Sequence, residues 1–460
     1  MNLIEGSFRD PQGRVYTSEG RIFRVISKSG ESKFNILNNS LILEKSINSG
    51  YLVKTWIPRK DQLPSGYQDK LIYEHQKIPY ISYPYEWSFS QLKEAALHHL
   101  NYQIFLLANN FHLNDSSSFN IQFIGAQSVF IDSLSITPYK EGDFWYGQKQ
   151  FLEQFLNPLF FSSYKNIPFN NFYRGNLDGI KSIEILKILN FFQKFIPKIF
   201  LYLYLPYLLE WGAKKTLNFD NYFLKKNNFK KNNYLWILKN LKKIIENIRL
   251  PNFDSYWENY EMTSSYDQIN LDIKSSIVKK FIKDNKINII ADLGCNTGHY
   301  SELCLNNGCQ YVVGFDSDAA SIEKSYVRSK NKKLNFLPLM LDAINPSVNS
   351  GWFEKERQGF LKRSKFDALL ALAFEHHLII GKNVPIESFI KWLTSISSKG
   401  LVEFIPKTDN MIKIMLNLKG DIFPDYNEDN FINIMKKYVK IIKIQEIGNT
   451  GRKVIEFDGS

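Results

Sequence analysis

Apolar and polar positions alternate with two different periods along this chain, and the change of period divides it. From residue 1 to about 60, short apolar runs are broken by turn signals such as Asp10-Pro11-Gln12-Gly13 and Ser18-Glu19-Gly20, the pattern of a small antiparallel sheet. Residues 88–112 switch to helical spacing, with Leu92, Ala95, Ala96, Leu100 and Ile104 on one face. Two strand-like runs follow, Asn120–Ile124 and Ser128–Ile131, and from about 140 to 250 the pattern is helical and aromatic-rich. After Pro251 a polar segment runs to Gln268, and from there helix and strand patterns alternate to the end. The expected strands are Ile287–Ala291, Tyr311–Phe315, Asn335–Leu341, Phe366–Ala373, Leu401–Ile405, Val439–Glu446 and Arg452–Phe457. Strand–helix alternation of this kind predicts a parallel sheet covered on both faces. The expectation is an α+β N-terminal domain over residues 1–250 and a linker over 251–268. An α/β C-terminal domain over 269–460 follows, with a seven-stranded, mostly parallel, Rossmann-like sheet closed by an antiparallel edge.

Composition adjusts this picture only slightly. With 460 residues, two domains are the default, and 44% hydrophobic with 23% charged residues is ordinary for a globular protein. The first residues lack a basic leader followed by an apolar core, so no signal peptide is expected. The most apolar stretch, Phe195–Leu209, is interrupted by Pro197, Lys198 and Pro206 and predicts a buried amphipathic helix, not a membrane span. Three cysteines, Cys295, Cys304 and Cys309, have no zinc spacing and suggest reduced thiols in a cytoplasmic protein. The formal net charge of +12 is uneven. Residues 251–460 hold 27 basic and 26 acidic side chains, so the excess is N-terminal and concentrates in Lys214–Arg249. Such a stretch suits nucleic acid or an anionic membrane surface, but a solvated face from compositional bias is the favoured account.

Candidate chemistry centres on Ile289–Ser301. An apolar run ends at Asp292, and Gly294 and Gly298 then lead into a segment able to start a helix. A dinucleotide fingerprint, G-x-G-x-x-G, would want glycine at 296 and 299, where Asn296 and His299 stand. The D-x-G-x-x-x-G spacing points instead to S-adenosylmethionine, which has no pyrophosphate to cradle. Asp316, at the end of the next strand, suits the ribose hydroxyls, although a helix-capping role is the plain alternative. Asp342 and Ala343, ending the third strand, suit the adenine amino group and ring edge. With Cys295 and Asn296 of the turn, these residues make up the expected donor site. Past the fourth strand stand His376 and His377, candidates for a base if the acceptor is a hydroxyl, with Glu375 and Glu403 as runners-up. Two histidines and two glutamates at this spacing are not a recognised ligand set, so no metal is expected.

With these residues in view, the chain resembles class I SAM-dependent methyltransferases related to rhizobial nodulation proteins. The resemblance lies in Asp292-Leu-Gly-Cys-Asn-Thr-Gly298, Ala371-Leu-Ala-Phe-Glu-His-His-Leu378 and Gly381-Lys-Asn-Val-Pro385. It continues in Glu403-Phe-Ile-Pro-Lys-Thr-Asp409, Asp421-Ile-Phe-Pro-Asp-Tyr426, Ser7-Phe-Arg-Asp-Pro11, Ser82-Tyr-Pro-Tyr-Glu-Trp87 and Phe130-Ile-Asp-Ser-Leu-Ser135, nearly the whole chain. It implies methyl transfer from S-adenosylmethionine to an acceptor that the motifs do not name, with a small molecule or glycan favoured over nucleic acid.

The N-terminal half is similar in outline to small-molecule kinases. Asp115 and Asn120 have the spacing of a catalytic Asp and a magnesium-binding Asn, Asp132 follows at the distance of a second metal ligand, and Lys54 lies in the small sheet. No glycine-rich loop precedes Lys54, Leu113 replaces the usual histidine, and Ser133-Leu134 follows Asp132 where Phe-Gly would stand. Two alternatives therefore accompany the methyltransferase expectation. One is a kinase-like phosphotransferase with a nucleoside-binding C-terminal domain; the other is an RNA-binding modification enzyme using the basic stretch.

Overall fold

Alternating β-branched and aromatic residues open the chain as a sheet, and a turn of the right chirality folds it back. The computed structural model describes residues 1–208, 230–253 and 268–459. Its chain divides into one unit of Met1–Ile78, Ser82–Phe123 and Ser128–Phe253 and a second of Pro79–Ile81, Ile124–Gln127 and Asp254–Ser460. Residues 214–229 of the basic stretch and 254–267 of the expected linker lie outside the described residues.

In the first unit, β1 (Asn2–Leu3), β2 (Gly13–Ser18), β3 (Arg21–Ile26), β4 (Thr55–Trp56) and β5 (Ile72–His75) form an antiparallel sheet in the order β1-β2-β3-β5-β4. Glu19 and Gly20, both at positive φ, make the two-residue hairpin between β2 and β3, where such angles match the strand twist. The helix Phe89–Ala108 begins at a reciprocal cap. The Ser88 hydroxyl accepts from the Gln91 N–H at 3.2 Å, and the Gln91 side chain accepts from the Ser88 N–H at 2.7 Å. Of its expected apolar face, Leu92, Ala95, Ala96 and Leu100 are fully buried and Ile104 is half-buried. A second helix, Lys231–Glu246, packs on it, with the Gln103 amide donating to the Tyr234 hydroxyl at 2.6 Å. The short strands β6 (Phe111–Leu113), β7 (Ile121–Ile124), β8 (Gln127–Phe130) and β9 (Ile136–Pro138) pair as β6 with β9 and β7 with β8. The apolar stretch expected to be a buried helix is helical from residue 197 to 208. Ile199, Tyr202 and Leu203 are buried, whereas Phe195, Leu201 and Leu208 are exposed, so one side faces out. No helix among the described residues is long and apolar enough to cross a membrane.

The second unit carries β10 (Ile289–Leu293), β11 (Tyr311–Asp316), β12 (Phe336–Met340), β13 (Ala368–Ala371), β14 (Lys399–Phe404), β15 (Lys440–Glu446) and β16 (Lys453–Asp458). They form one seven-stranded sheet in the order β12-β11-β10-β13-β14-β16-β15. The first five in that order are mutually parallel; β16 runs antiparallel to both β14 and β15. The seven expected strands are all present. β10 starts two residues later than the apolar run, and at its start the Asp367 carboxylate accepts the N–H groups of Asn288 and Ile289 at 2.9 and 3.0 Å. β13 is buried at every position, as a strand covered on both faces must be. Strand order reverses at β10, whose two neighbours, β11 and β13, belong to successive halves of the sheet. In an open parallel sheet a ligand crevice opens at the carboxyl ends of the strands at such a point.

Candidate active site

Each strand that ends at the crevice delivers its last residues to one cleft of about 350 Å³. Leu293, Gly294 and Asn296 come from β10 and its turn, and Phe315, Asp316 and Ser317 from the end of β11. Leu341, Asp342, Ala343 and Ile344 follow β12; Leu372, Ala373 and Phe374 follow β13; His377, Leu378, Gly381 and Lys382 come from the helix Glu375–Lys382.

The turn after β10 is built from backbone bonds to β11. The Gly294 and Cys295 N–H groups donate to the Phe315 carbonyl at 2.8 and 3.1 Å. The Asn296 N–H donates to Asp316 Oδ2 at 2.9 Å, and the Asp318 N–H donates to Asp316 Oδ1 at 2.9 Å. Gly294, at φ +73°, passes so close to Phe374 that a Cβ would lie 2.9 Å from its ring. Gly298, at φ +83°, sits on Phe336, where a Cβ would approach to 2.5 Å. Any side chain at either position would lift the turn off its support.

Asp292 does not line the cleft. It is buried beneath the turn, accepting from the Ser301 hydroxyl at 2.6 Å, and burial pushes its carboxyl up to about 6 against that bond. Burial likewise pushes Asp316 up to about 6, while the N–H groups of Asp318 and Asn296 pull it back. Cys295 is buried in the apolar core with its thiol held well above the ordinary range, so it acts as packing. Of the eight expected donor-site residues, Gly294, Asn296, Asp316, Asp342 and Ala343 line the cleft; Asp292, Cys295 and Gly298 support it from below.

The two histidines part company. The His376 ring is buried, its Nδ1 2.9 Å from Glu375 Oε2, and its backbone N–H also donates to that carboxylate. Glu375 is fully buried and further accepts from the Ile405 N–H and the Tyr426 hydroxyl, both at 2.8 Å. This network ties the helix to the segment after β14. His377 instead lines the cleft, its ring centroid 4.0 Å from that of His376. Burial, reinforced by His376, pushes its imidazole down to about 3, so it is neutral at physiological pH. Glu403 is equally far from the role of base. Lys274 Nζ lies 2.7 Å from its carboxylate and Arg452 Nη1 3.7 Å, and Arg452 continues to Asp409 at 2.7 Å, a buried ionic chain outside the cleft lining. No group of three or more His, Cys, Asp or Glu able to hold a metal occurs among the described residues.

Ala373 and Phe374 are site residues that the sequence pattern did not single out. Ala373 stands at φ +52°, a left-handed angle costing a non-glycine residue about 1 kcal/mol, and the bend sends the chain from β13 into the cleft wall. Phe374 then forms the floor under Gly294 and stacks on Trp392, centroids 6.2 Å apart.

In the first unit Asp115, Asn120 and Asp132 of the kinase-like set come together, but beside cations of the protein itself. The Asn120 amide donates to Asp115 at 3.0 Å. Arg24 Nη1 lies 2.8 Å from Asp132 Oδ1 and 2.9 Å from Asp10 Oδ2. Lys33 feels the negative charge of Asp132, Asp10 and Asp115 while donating to the Leu134 carbonyl at 2.7 Å. Lys54 is exposed.

Over 460 residues the chain is 37% identical to nodulation protein NoeA of Rhizobium meliloti (strain 1021), spanning 99% of its own length and 96% of the relative's. The chain belongs to the family of that protein. The kinship with rhizobial nodulation proteins expected from the motifs is therefore borne out, and it extends through both units. No family model matches the chain. Among solved structures it is similar to the N-methyltransferase NodS of Bradyrhizobium japonicum WM9 with S-adenosyl-l-homocysteine, at 11% identity and a TM-score of 0.31. That match covers 45% of this chain and 99% of the other. It is also similar to the magnesium protoporphyrin IX methyltransferase ChlM of Synechocystis PCC 6803, at 16% identity and a TM-score of 0.32, over 44% and 94% of the two chains. The strand order of the second unit, five parallel strands with an antiparallel strand inserted next to the edge, is the mostly parallel seven-stranded sheet expected from the sequence.

Proposed function

We propose that the chain transfers a methyl group from S-adenosylmethionine to a hydroxyl or amine of a small molecule or glycan. The observation that carries this is the Asp316 carboxylate held across the crevice by two backbone N–H groups, one on each oxygen. A carboxylate offers about four lone-pair sites. The N–H groups of Asn296, Asp318 and Ser317 draw on part of that capacity, and what remains serves the ribose hydroxyls of a nucleoside. The cleft suits the rest of the donor: Leu341, Ile344, Leu372 and Phe374 supply apolar wall for an adenine ring, Asp342 stands ready for its amino group, and the two carboxylates favour a cation.

Bound there, the donor supplies an electrophilic methyl on a sulfonium, and no metal is needed to activate it. The protein's part is to seat the acceptor in line and to deal with its proton. Orientation alone can supply roughly 7–11 kcal/mol of the barrier. His377 is the imidazole in the cleft wall; burial keeps its nitrogen unprotonated and also makes it a weak base, so its part is chiefly to accept a hydrogen bond from the acceptor and hold it in line. An acceptor amine would arrive with a lone pair already free and would use His377 for positioning. The first unit, part of the same family-wide chain, is assigned to recruiting or orienting the acceptor.

The test is isothermal titration of the full chain with S-adenosylmethionine, followed by screening cell extracts for acceptors of labelled methyl groups. Saturable binding that Asp316→Ala abolishes supports the assignment; a chain that takes up no donor refutes it.

A further inference from the structure

The stretch after the helix Ser182–Ile188 presents aromatic rings where a soluble surface would normally hide them. Phe191 is 68% exposed, Phe192 83% and Phe195 51%. They are neighbours in space: the Phe191 centroid lies 5.9 Å from Phe192 and 5.0 Å from Phe195, and Phe195 continues to Phe200 at 6.3 Å and Tyr204 at 5.9 Å. The backbone beneath them is fixed. Asn190 accepts the Gln193 N–H at 2.8 Å and Gln193 returns the bond to the Asn190 N–H at 3.0 Å, while Ile199 and Leu203 pin the following helix to the core. Contiguous exposed rings on rigid backbone mark a docking surface.

Charge decides what docks. From Ile185 to Leu208 the chain carries Lys187, Lys194 and Lys198 and no aspartate or glutamate. Lys187 is exposed, Lys194 sits on the same turn as Phe191 and Phe192, and Lys198 lies with its ammonium 5.8 Å from the ring centres of Phe160 and Tyr164. Aromatic tips beside lysines, with no acid within the stretch itself and Glu184 one residue before it, match an interface where apolar chains lie under anionic headgroups. We propose that Phe191, Phe192 and Phe195, with Lys187 and Lys194, seat the N-terminal unit on an anionic lipid surface. The role is peripheral, and it would bring the protein to acceptors held at a membrane.

The experiment is co-sedimentation of the full chain with vesicles of phosphatidylcholine alone and of phosphatidylcholine with phosphatidylserine. The chain should partition to the anionic vesicles, and the triple variant Phe191→Ser, Phe192→Ser, Phe195→Ser should lose at least about tenfold. Each of Lys187→Gln and Lys194→Gln should lose about fivefold, on anionic vesicles only. Because the three rings are exposed, the triple variant keeps its melting temperature, which separates lost docking from misfolding. A wild-type chain that stays in the supernatant overturns the proposal, as does a triple variant that sediments like wild type. So does a chain that ignores vesicles but loses self-association in the triple variant, since the surface would then serve a second copy.

Discussion

The backbone N–H of Asn296 and the carboxylate of Asp316 meet at 2.9 Å, joining the turn after β10 to the end of β11. Twenty residues separate them in sequence, yet the bond makes the bend and the acid one rigid piece. Asn296 itself stands at φ +47°, so the turn delivers its N–H toward the acid through an angle that asparagine tolerates better than most residues. The proposed donor site is therefore prepared before any ligand arrives.

Asp316→Ala is expected to weaken S-adenosylmethionine binding by two orders of magnitude or more, since each hydrogen bond to a charged group is worth about 1.5–3 kcal/mol. Binding should also depend on pH. The carboxyl is raised to about 6, and donor binding requires its ionised form, so affinity is flat above about pH 7 and falls roughly tenfold per unit below 6. Titration calorimetry across this range checks both; a pH-independent affinity would contradict the role of Asp316.

His377→Ala is expected to lower turnover of a hydroxyl acceptor by about tenfold, below the roughly 10²–10⁴-fold of a base matched to the operating pH, because burial leaves the imidazole a weak base. Donor affinity should change little. His376→Ala should behave differently, because that ring is buried against Glu375 and its loss acts on stability. Because His377 is already neutral well below pH 5, its titration adds no acidic limb to the rate profile between pH 5 and 8. Equal kinetic losses in the two variants would show that neither acts as base.

The sheet was legible because its strands are long apolar runs ending in acids, and period alone separates them from helices. The turn proposed to hold the donor was legible as a tight strand-to-helix bend because Gly294 takes a positive φ there and Asp316 ends the next strand beside it. What the sequence could not separate was lining from support. Asp292, Asp316 and Asp342 all end strands, but only the backbone path shows Asp292 turned down to Ser301 while the other two face the cleft. The same holds for the histidine pair, whose neighbours in sequence face Glu375 in one case and the crevice in the other. Phe374 was missed because its role, filling the space that Gly294 leaves, exists only in three dimensions. The exposed side of the stretch from Phe195 to Leu208 was missed for a similar reason: apolar composition alone does not say which face finds a partner.

Tyr426→Phe is expected to cost about 1–2 kcal/mol of stability, and Glu375→Ala more. The Tyr426 hydroxyl donates to Glu375, so the phenylalanine removes one donor from a buried carboxylate. Alanine at 375 leaves the Ile405 N–H without its acceptor, while the single Tyr426 O–H hydrogen, shared between the carboxylate and the Ile405 carbonyl, turns to the carbonyl alone. Urea denaturation at neutral pH measures both. An unchanged midpoint for Glu375→Ala would show that the carboxylate is not structural and would reopen its candidacy as a base.

In the first unit, Arg24→Ala is expected to cost about 3 kcal/mol, because it leaves Asp10 and Asp132 facing each other with their shared cation removed. The same arrangement makes a prediction about nucleotide. A phosphotransferase uses its acids to hold magnesium, and the metal neutralises them. Here Arg24 bridges Asp132 and Asp10, and Lys33 feels the charge of Asp132, Asp10 and Asp115, so much of the acids' charge is already offset from inside the protein. Adding magnesium and ATP to the wild-type chain should leave its melting temperature unchanged and release no phosphate. Ligand binding to the native state would raise that temperature by mass action, so a magnesium-dependent rise, lost in Asp132→Ala, would restore the kinase-like reading.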